Sequence, residues 1–273
     1  MSRRIEKSPL SGWKSCVHII LRRHPLSWYL SRLLVRKLFY KYVFEKEYEG
    51  LKYLKLGDGE IVDIGANDGI SALQFRMFNK INPIISIEPN QAYKLTLAKL
   101  TGKIKNFKYI ITSVGSKTSE SKLTIPYYKG TPCASCAAIG KENVILSLKK
   151  VGWDAVLDAF EFKDVDVQMT TIDNLNLKPA FMKIDVEGSE HDVLLGAERT
   201  IQTSRPILLI ENHTPDRKRM VIDFLANYGY EEYGFDSESK MFYPRPEEDE
   251  HKNDFFFLRK HIDVQPDELF SDI

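Results

Sequence analysis

Acidic residues stand directly at the ends of four short apolar runs in this chain. Asp63 lies within Ile-Val-Asp-Ile-Gly-Ala-Asn-Asp-Gly (residues 61–69), and Glu88 follows Ile-Ile-Ser-Ile (84–87) in Glu-Pro-Asn. Asp185 and Glu187 follow residues 179–184 in Asp-Val-Glu-Gly-Ser-Glu-His, and Glu211 follows residues 206–210 in Glu-Asn-His. Apolar runs of this length read as buried strands, and an open parallel sheet forms its ligand crevice at the carboxyl ends of its strands. Carboxylates gathered there can accept hydrogen bonds from hydroxyls, take up a proton, or attract a cation. They repel phosphate.

The loop at 65–69 sharpens that choice. A dinucleotide fold carries G-x-G-x-x-G at this turn, so that helix N-terminal amides meet a pyrophosphate. Here the spacing is G-x-x-x-G, with Asp63 and Asp68 as company. S-adenosylmethionine carries an ammonium and a sulfonium and no phosphate, so both acids suit it. Gly65 and Gly69 let the backbone approach a ligand or take positive φ, and Asn67 lies between them. The competing reading is an ordinary strand-to-helix turn whose Asp caps the helix, and on this stretch alone the two are nearly balanced. Glu88 comes 25 residues after Asp63, where an acid at the end of a second strand accepts hydrogen bonds from both ribose hydroxyls. Pro89 beside it, and Ser113 and Val114 at the end of a third strand, complete the expected cofactor wall near the adenine.

If the ligand is S-adenosylmethionine, transfer of its methyl to a hydroxyl would also need a group to take the hydroxyl's proton. By position the candidates are Asp185, Glu187, Glu211 and His213, with Asp185 alternatively serving the methionine end of the cofactor. Glu190 and His191 read as a solvated first helical turn, where an acid complements the helix dipole. Cys133 and Cys136 form a C-x-x-C, but with no second pair and no histidine at ligand spacing they read as small residues in a flexible loop. No spacing of acids singles out a metal site, so no metal is expected.

The elements that must position these groups follow in order. Strands are expected at 61–64, 84–87, 109–114, 123–128, 165–171, 179–184, 206–210, 230–235 and 254–258. Helices are expected at 70–79, 91–100, 192–203 and 216–228, with an insertion of some helical content at 144–162 and a charged connector at 244–253. This is an α/β chain with a mostly parallel sheet and one antiparallel edge strand. At 273 residues it holds one large domain, taken as 51–273, plus an extension at 1–50.

Charge is uneven. Residues 1–44 carry ten Lys or Arg against one acid, leaving 29 basic and 37 acidic residues in 45–273. The head is rich in aromatics and reads as a helix over 26–44, with Pro25 as its opener. Two readings stand for it: a helical cap on the domain, or a peripheral contact with an anionic membrane surface. The acidic body argues against nucleic acid. No apolar run approaches the roughly eighteen residues needed to span a bilayer. Val17–Leu21 is followed at once by Arg22 and Arg23 and lacks a small-residue cleavage site, so no signal peptide is expected. Three cysteines fit a reducing cytoplasm.

Together, Ile-Val-Asp-Ile-Gly-Ala-Asn-Asp-Gly (61–69), Ser-Ile-Glu-Pro (86–89), Met-Lys-Ile-Asp-Val-Glu-Gly (182–188) and Pro-Ile-Leu-Leu-Ile-Glu (206–211) resemble the FkbM family of S-adenosylmethionine-dependent methyltransferases. The Lys-Ile-Asp-Val-Glu-Gly run is the most specific element, and the resemblance covers about residues 53–258. It implies a Rossmann-like methyltransferase fold, a seven-stranded sheet with the seventh strand antiparallel. It also implies methyl transfer to a hydroxyl of a sugar, glycan, glycolipid or secondary metabolite. The family commonly has a small, Ser-rich loop where Cys133 and Cys136 stand here. A second class of reading remains: a membrane-associated binding or scaffolding module on the same fold, without turnover.

Overall fold

The computed structural model describes residues 46–211, 214–245 and 254–258. The basic head, with its helical and membrane-contact expectations, and His213 both lie outside the described residues.

The chain first lays down β1 (Glu60–Ile64), β2 (Ile84–Ile87) and β3 (Phe107–Ile110), joined by helices α1 (Ile70–Phe78) and α2 (Lys94–Leu100). It then leaves that sheet for a small lobe made of β4 (Ser113–Val114), β5 (Ser119–Tyr128), β6 (Thr131–Pro132), β7 (Ala138–Ile139) and β8 (Phe160–Thr170), with helix α3 (Lys141–Lys150) between β7 and β8. After helix α4 (Ile172–Leu175) it returns as β9 (Pro179–Ile184), helices α5 (Glu190–Leu195) and α6 (Glu198–Ser204), and β10 (Ile207–Glu211). Helix α7 (Pro215–Ala226), β11 (Glu231–Asp236), β12 (Met241–Pro244) and β13 (Asp254–Leu258) close the described chain.

The large sheet has the order β12-β11-β13-β10-β9-β1-β2-β3. Its five strands from β3 to β10 are all parallel, and the four from β2 to β10 are buried on both faces, while β3 exposes Lys108. Period-two alternation sends Ile61, Ile84 and Phe181 into one core and Val62, Ile64, Ile85, Met182 and Ile184 into the other.

A mixed α/β architecture is therefore present, but the sheet departs from expectation. Among the described residues it has eight strands rather than seven, and two of them run antiparallel to the rest, one inside the sheet and the other at its edge. β13 runs between β10 and β11, antiparallel to both, and β12 forms the edge by pairing with β11. The eighth strand, Met-Phe-Tyr-Pro, had no sequence expectation because it is short and ends in proline beside a charged run. Tertiary packing makes it a strand. Phe242 is fully buried and sits 5.0 Å from Phe235 and 5.2 Å from Phe256, ring centre to ring centre. Proline at its end is tolerated because an edge strand has no further ladder to serve.

Residues 109–114 are also not one strand. β3 ends at Ile110, and Ser113 and Val114 pair instead with Met169 and Thr170 of the small lobe. That lobe is built on one long antiparallel ladder, with Ser119 to Tyr128 facing Met169 to Phe160. Its core includes Tyr128, Cys136, Val144, Leu148, Trp153 and Phe160, with Trp153 stacked on Phe160 at 5.8 Å. The cysteines thus pack rather than ornament a loose loop. Burial pushes the Cys133 thiol up to about 11 and the Cys136 thiol up to about 12, the inert state of a packing cysteine.

Candidate active site

The turn after β1 is shaped by close approach to the turn after β9. Gly65 has φ +77°, and a Cβ there would strike the carbonyl oxygen of Asp185. Its amide and that of Ala66 both donate to Ile87 O, at 3.0 and 3.1 Å. Asn67 then takes φ +52°, which swings its amide toward β2, where it donates to Glu88 Oε2 at 2.8 Å. The other oxygen of Glu88 accepts the Asn90 amide at 2.8 Å. One carboxylate therefore stitches two strand-end turns together. Burial pushes the Glu88 carboxyl up to about 7, with the two amides pulling the other way.

Asp63 does not reach this surface. Alternation puts it on the Ile61 face, in register with Ser86 on β2 and Lys183 on β9. It is fully buried and accepts from Ser71 Oγ at 2.6 Å and Ser86 Oγ at 3.2 Å, with Lys183 Nζ 3.8 Å away. Burial raises its carboxyl above the ordinary range, and the ammonium of Lys183 opposes that. Lys183 in turn reaches Asp185 Oδ2 at 2.9 Å and Gly65 O at 3.3 Å. The polar row Ser86–Asp63–Lys183 thus lies one layer below the strand ends and fixes where Asp185 and Gly65 meet.

The turn after β9 repeats the device with other residues. Glu187 has φ +57° and Gly188 φ +105°, and a Cβ on Gly188 would meet the guanidinium of Arg217. Glu190, expected to be solvated, is instead 1% exposed. Its Oε1 accepts the amides of Gly188 at 2.9 Å and Val186 at 3.2 Å, and burial pushes its carboxyl up to about 7. Glu187 is also pushed up to about 7, first by burial and then by the neighbouring charge of Asp185; Lys150 and a hydrogen bond from Ser147 oppose this. His191 lies edge-on to Phe224, with ring centres 5.9 Å apart.

Between the two turns and the small lobe lies a cavity of about 610 Å³, its open mouth included. Gly65, Asn67, Glu88 and Pro89 line one side, and Ser113 and Val114 continue that wall. Asp185, Glu187 and Ser189 form the next side. The small lobe closes it with Ala134, Ser135, Ala137, Ala138 and Ile139. Of the residues singled out from sequence, Asp63, Asp68, Gly69 and Glu211 do not line it. Asp68 Oδ1 instead accepts the Ile70 amide at the start of α1, at 3.4 Å, and Gly69 packs against Leu97 and Leu100. Glu211 is held by Lys150 Nζ in an ion pair.

This arrangement meets an independent finding: the sequence model of the Methyltransferase FkbM domain matches residues 63–232. The chain belongs to the FkbM methyltransferase family. Among solved structures it is similar to a methyltransferase FkbM from Methylobacillus flagellatus KT, with 15% identity and a TM-score of 0.47 over 82% of this chain and 47% of that one. The chain thus spans about half the length of that structure. It is also similar to precorrin-6y C5,15-methyltransferase from Geobacter metallireducens GS-15, with 13% identity and a TM-score of 0.40 over 78% of this chain and 84% of that one. No curated protein sequence matches it.

Several residues around this FkbM site carried no role in the sequence reading. Lys183 is one: a lysine inside an otherwise buried run must have a charged partner, and the alternation of β9 already put it on the same face as Phe181. Asn143, Ser147 and Lys150 are the others, spaced i, i+4, i+7 on α3 and so sharing one helix face. Asn143 Oδ1 accepts from Arg217 Nη2 at 2.7 Å, and its Nδ2 donates to Ile139 O at 2.8 Å.

Proposed function

We propose that the protein is an S-adenosylmethionine-dependent O-methyltransferase, acting on a hydroxyl of a sugar, glycan, glycolipid or secondary metabolite. The observation that carries this reading is the charge of the cavity wall. Among the described residues its ionisable lining is Glu88, Asp185 and Glu187, with no lysine or arginine. Such a wall suits a cationic ligand without phosphate and disfavours a dinucleotide.

The residues present fit that cofactor. Gly65 lines the cavity and lets its turn close against Asp185, whose carbonyl a Cβ would strike. Glu88 offers a buried carboxylate to a ribose diol while its turn amides keep it in place. Asp185, oriented by Lys183, is placed for the ammonium end. When bound, S-adenosylmethionine supplies an electrophilic methyl group on a sulfonium.

The chain's own contribution is alignment, exclusion of water and removal of one proton. Of the candidate bases, Glu187 fits best. It lines the cavity, and burial with the neighbouring charge of Asp185 pushes its carboxyl up to about 7, which makes it a stronger base toward the acceptor hydroxyl's proton than an ordinary carboxylate. Asp185 is committed to Lys183, and Glu211 to Lys150 outside the cavity. A general base of this kind contributes about 10²–10⁴-fold.

The test has two arms. In calorimetry, the full chain binds S-adenosylmethionine and not a nicotinamide dinucleotide; the reverse preference sinks the cofactor assignment. Tritium from methyl-labelled S-adenosylmethionine passes into a host-cell extract, and Glu187→Gln lowers that transfer by about 10²-fold or more while leaving cofactor binding in place.

A further inference from the structure

A lysine inside a core strand needs a reason, and packing does not give one. Lys183 is 6% exposed on β9, two places after the fully buried Phe181 and so on the same face of the sheet. Its partner in register on β1 is Asp63, also fully buried. A buried ion pair is as a rule no more stabilising than apolar side chains of similar volume. A leucine and a methionine here would serve the fold as well.

What the pair adds is reach toward the ligand side. Lys183 Nζ lies 2.9 Å from Asp185 Oδ2, 3.3 Å from Gly65 O and 3.8 Å from Asp63 Oδ1. Asp185 and Gly65 line the cavity, whereas Lys183 and Asp63 do not. Asp63 is gripped in turn by Ser71 of α1 and Ser86 of β2. The Asp185 carboxylate, on the first residue past β9, is thus moored through Lys183 to an acid fixed by three elements. Asp63 answers the lysine's charge from inside the core. When all three groups are ionised one negative charge is in excess, and Asp185 is the member that faces the cavity.

We propose that Lys183 is a positioning residue for the amino-acid end of S-adenosylmethionine, holding the Asp185 carboxylate where it meets the ligand's ammonium, with Asp63 as its buried counter-charge. The proposal rests on the cofactor reading above, and it gives Asp63 a part in binding at second hand. A carboxylate already held in its bound orientation loses less conformational freedom when the ammonium arrives, so mooring it raises affinity.

Two ligands isolate that end of the cofactor without any methyl acceptor. S-adenosylhomocysteine carries the amino-acid group and methylthioadenosine lacks it, while both share the adenosine and an uncharged thioether. Calorimetry on the full chain compares the wild type with Lys183→Met, Asp63→Asn and the double variant. The double variant removes one positive and one negative charge together, so the net charge beside the cavity is kept and only the mooring is lost. Asn still offers Ser71 and Ser86 an acceptor. The double variant should lose about tenfold to a hundredfold in affinity for S-adenosylhomocysteine and keep its affinity for methylthioadenosine, with its melting midpoint kept or raised. A loss shared equally by the two ligands would mean that the row only supports the fold of the site, and it overturns the proposal. So does an unchanged affinity for S-adenosylhomocysteine. Should both Lys183 variants fail to fold, Asp63→Asn decides: it leaves the lysine's charge to Asp185 alone, so the same ligand-selective loss is expected and its absence is equally fatal. A wild type that binds neither ligand would instead refute the cofactor reading itself.

Discussion

The turns after β1 and β9 solve the same backbone problem with the same parts and put the result to different uses. Each places a non-glycine residue at positive φ, Asn67 in one and Glu187 in the other. Each satisfies two turn or loop amides with one buried carboxylate, Glu88 or Glu190. After β1 the stitching carboxylate itself lines the cavity. After β9 it sits behind the turn, and the strained residue, Glu187, carries the carboxylate that faces the cavity. One turn therefore merges structure with binding. The other separates the stitching acid from the acid that faces the cavity.

The sharpest test of that contrast is at the glycines. Gly65→Ala drives a methyl into the backbone of Asp185, which cannot move without breaking the β1–β9 ladder. A loss of about 4 kcal/mol or more, roughly 10 °C or more in melting midpoint, is expected. Gly188→Ala meets side chains rather than backbone, the guanidinium of Arg217 and the Asn143 Oδ1 that accepts from it, and these can shift, leaving mainly left-handed strain of about 1–2 kcal/mol. Equal losses in calorimetric melts would show that the second turn is as rigid as the first.

Next in size is the exchange of the two stitching acids. Glu190→Ala leaves the Val186 and Gly188 amides without their acceptor, at a cost of about 2–3 kcal/mol. Its affinity for S-adenosylmethionine should change little. Glu88→Ala should cost a similar amount of stability and also abolish measurable cofactor binding. If both variants lose stability alone, Glu88 is a structural acid and the ribose assignment falls.

The last test is a pH trend. Glu88, Glu187 and Glu190 each rise from an ordinary 4.5 to about 7. Between those values the folded chain holds protons that the unfolded chain has released, so stability falls as pH rises and levels off above about 7. The ligand-free protein should melt at a higher temperature at pH 5.5 than at pH 7.5, with a shallower slope in Glu190→Gln. A midpoint that climbs over this range would mean the three acids are ionised in the fold.

Much of the frame was legible in the chain. Four of the five parallel strands announce themselves as apolar runs because both their faces are buried, whereas β3, with Lys108 exposed, does not and was placed two residues late. Glu88, Asp185 and Glu187 could be placed at one crevice because strand ends in such a sheet converge. Asp63 was misplaced for a reason the same alternation contains: it shares a face with Ile61, so its carboxylate turns into the layer of Ser71, Ser86 and Lys183 rather than out toward a ligand. Glu190 was read as solvated because a first-turn acid is satisfied equally by water or by neighbouring amides, and sequence does not distinguish the two.

What the sequence determined by itself was periodic and local: which runs are buried strands, where they end, and that acids rather than glycine-rich phosphate cradles stand at those ends. Only the tertiary structure decided which acids share the cavity, that β13 inserts between β10 and β11, and that a helix from the small lobe meets Arg217 and Glu211 through Asn143 and Lys150. Those outcomes depend on contacts between elements well separated in the chain, such as Tyr233 with Phe256 or Leu208 with Phe257. Their energies come from desolvation and charge pairing across packed elements, and spacing along the chain carries no record of either.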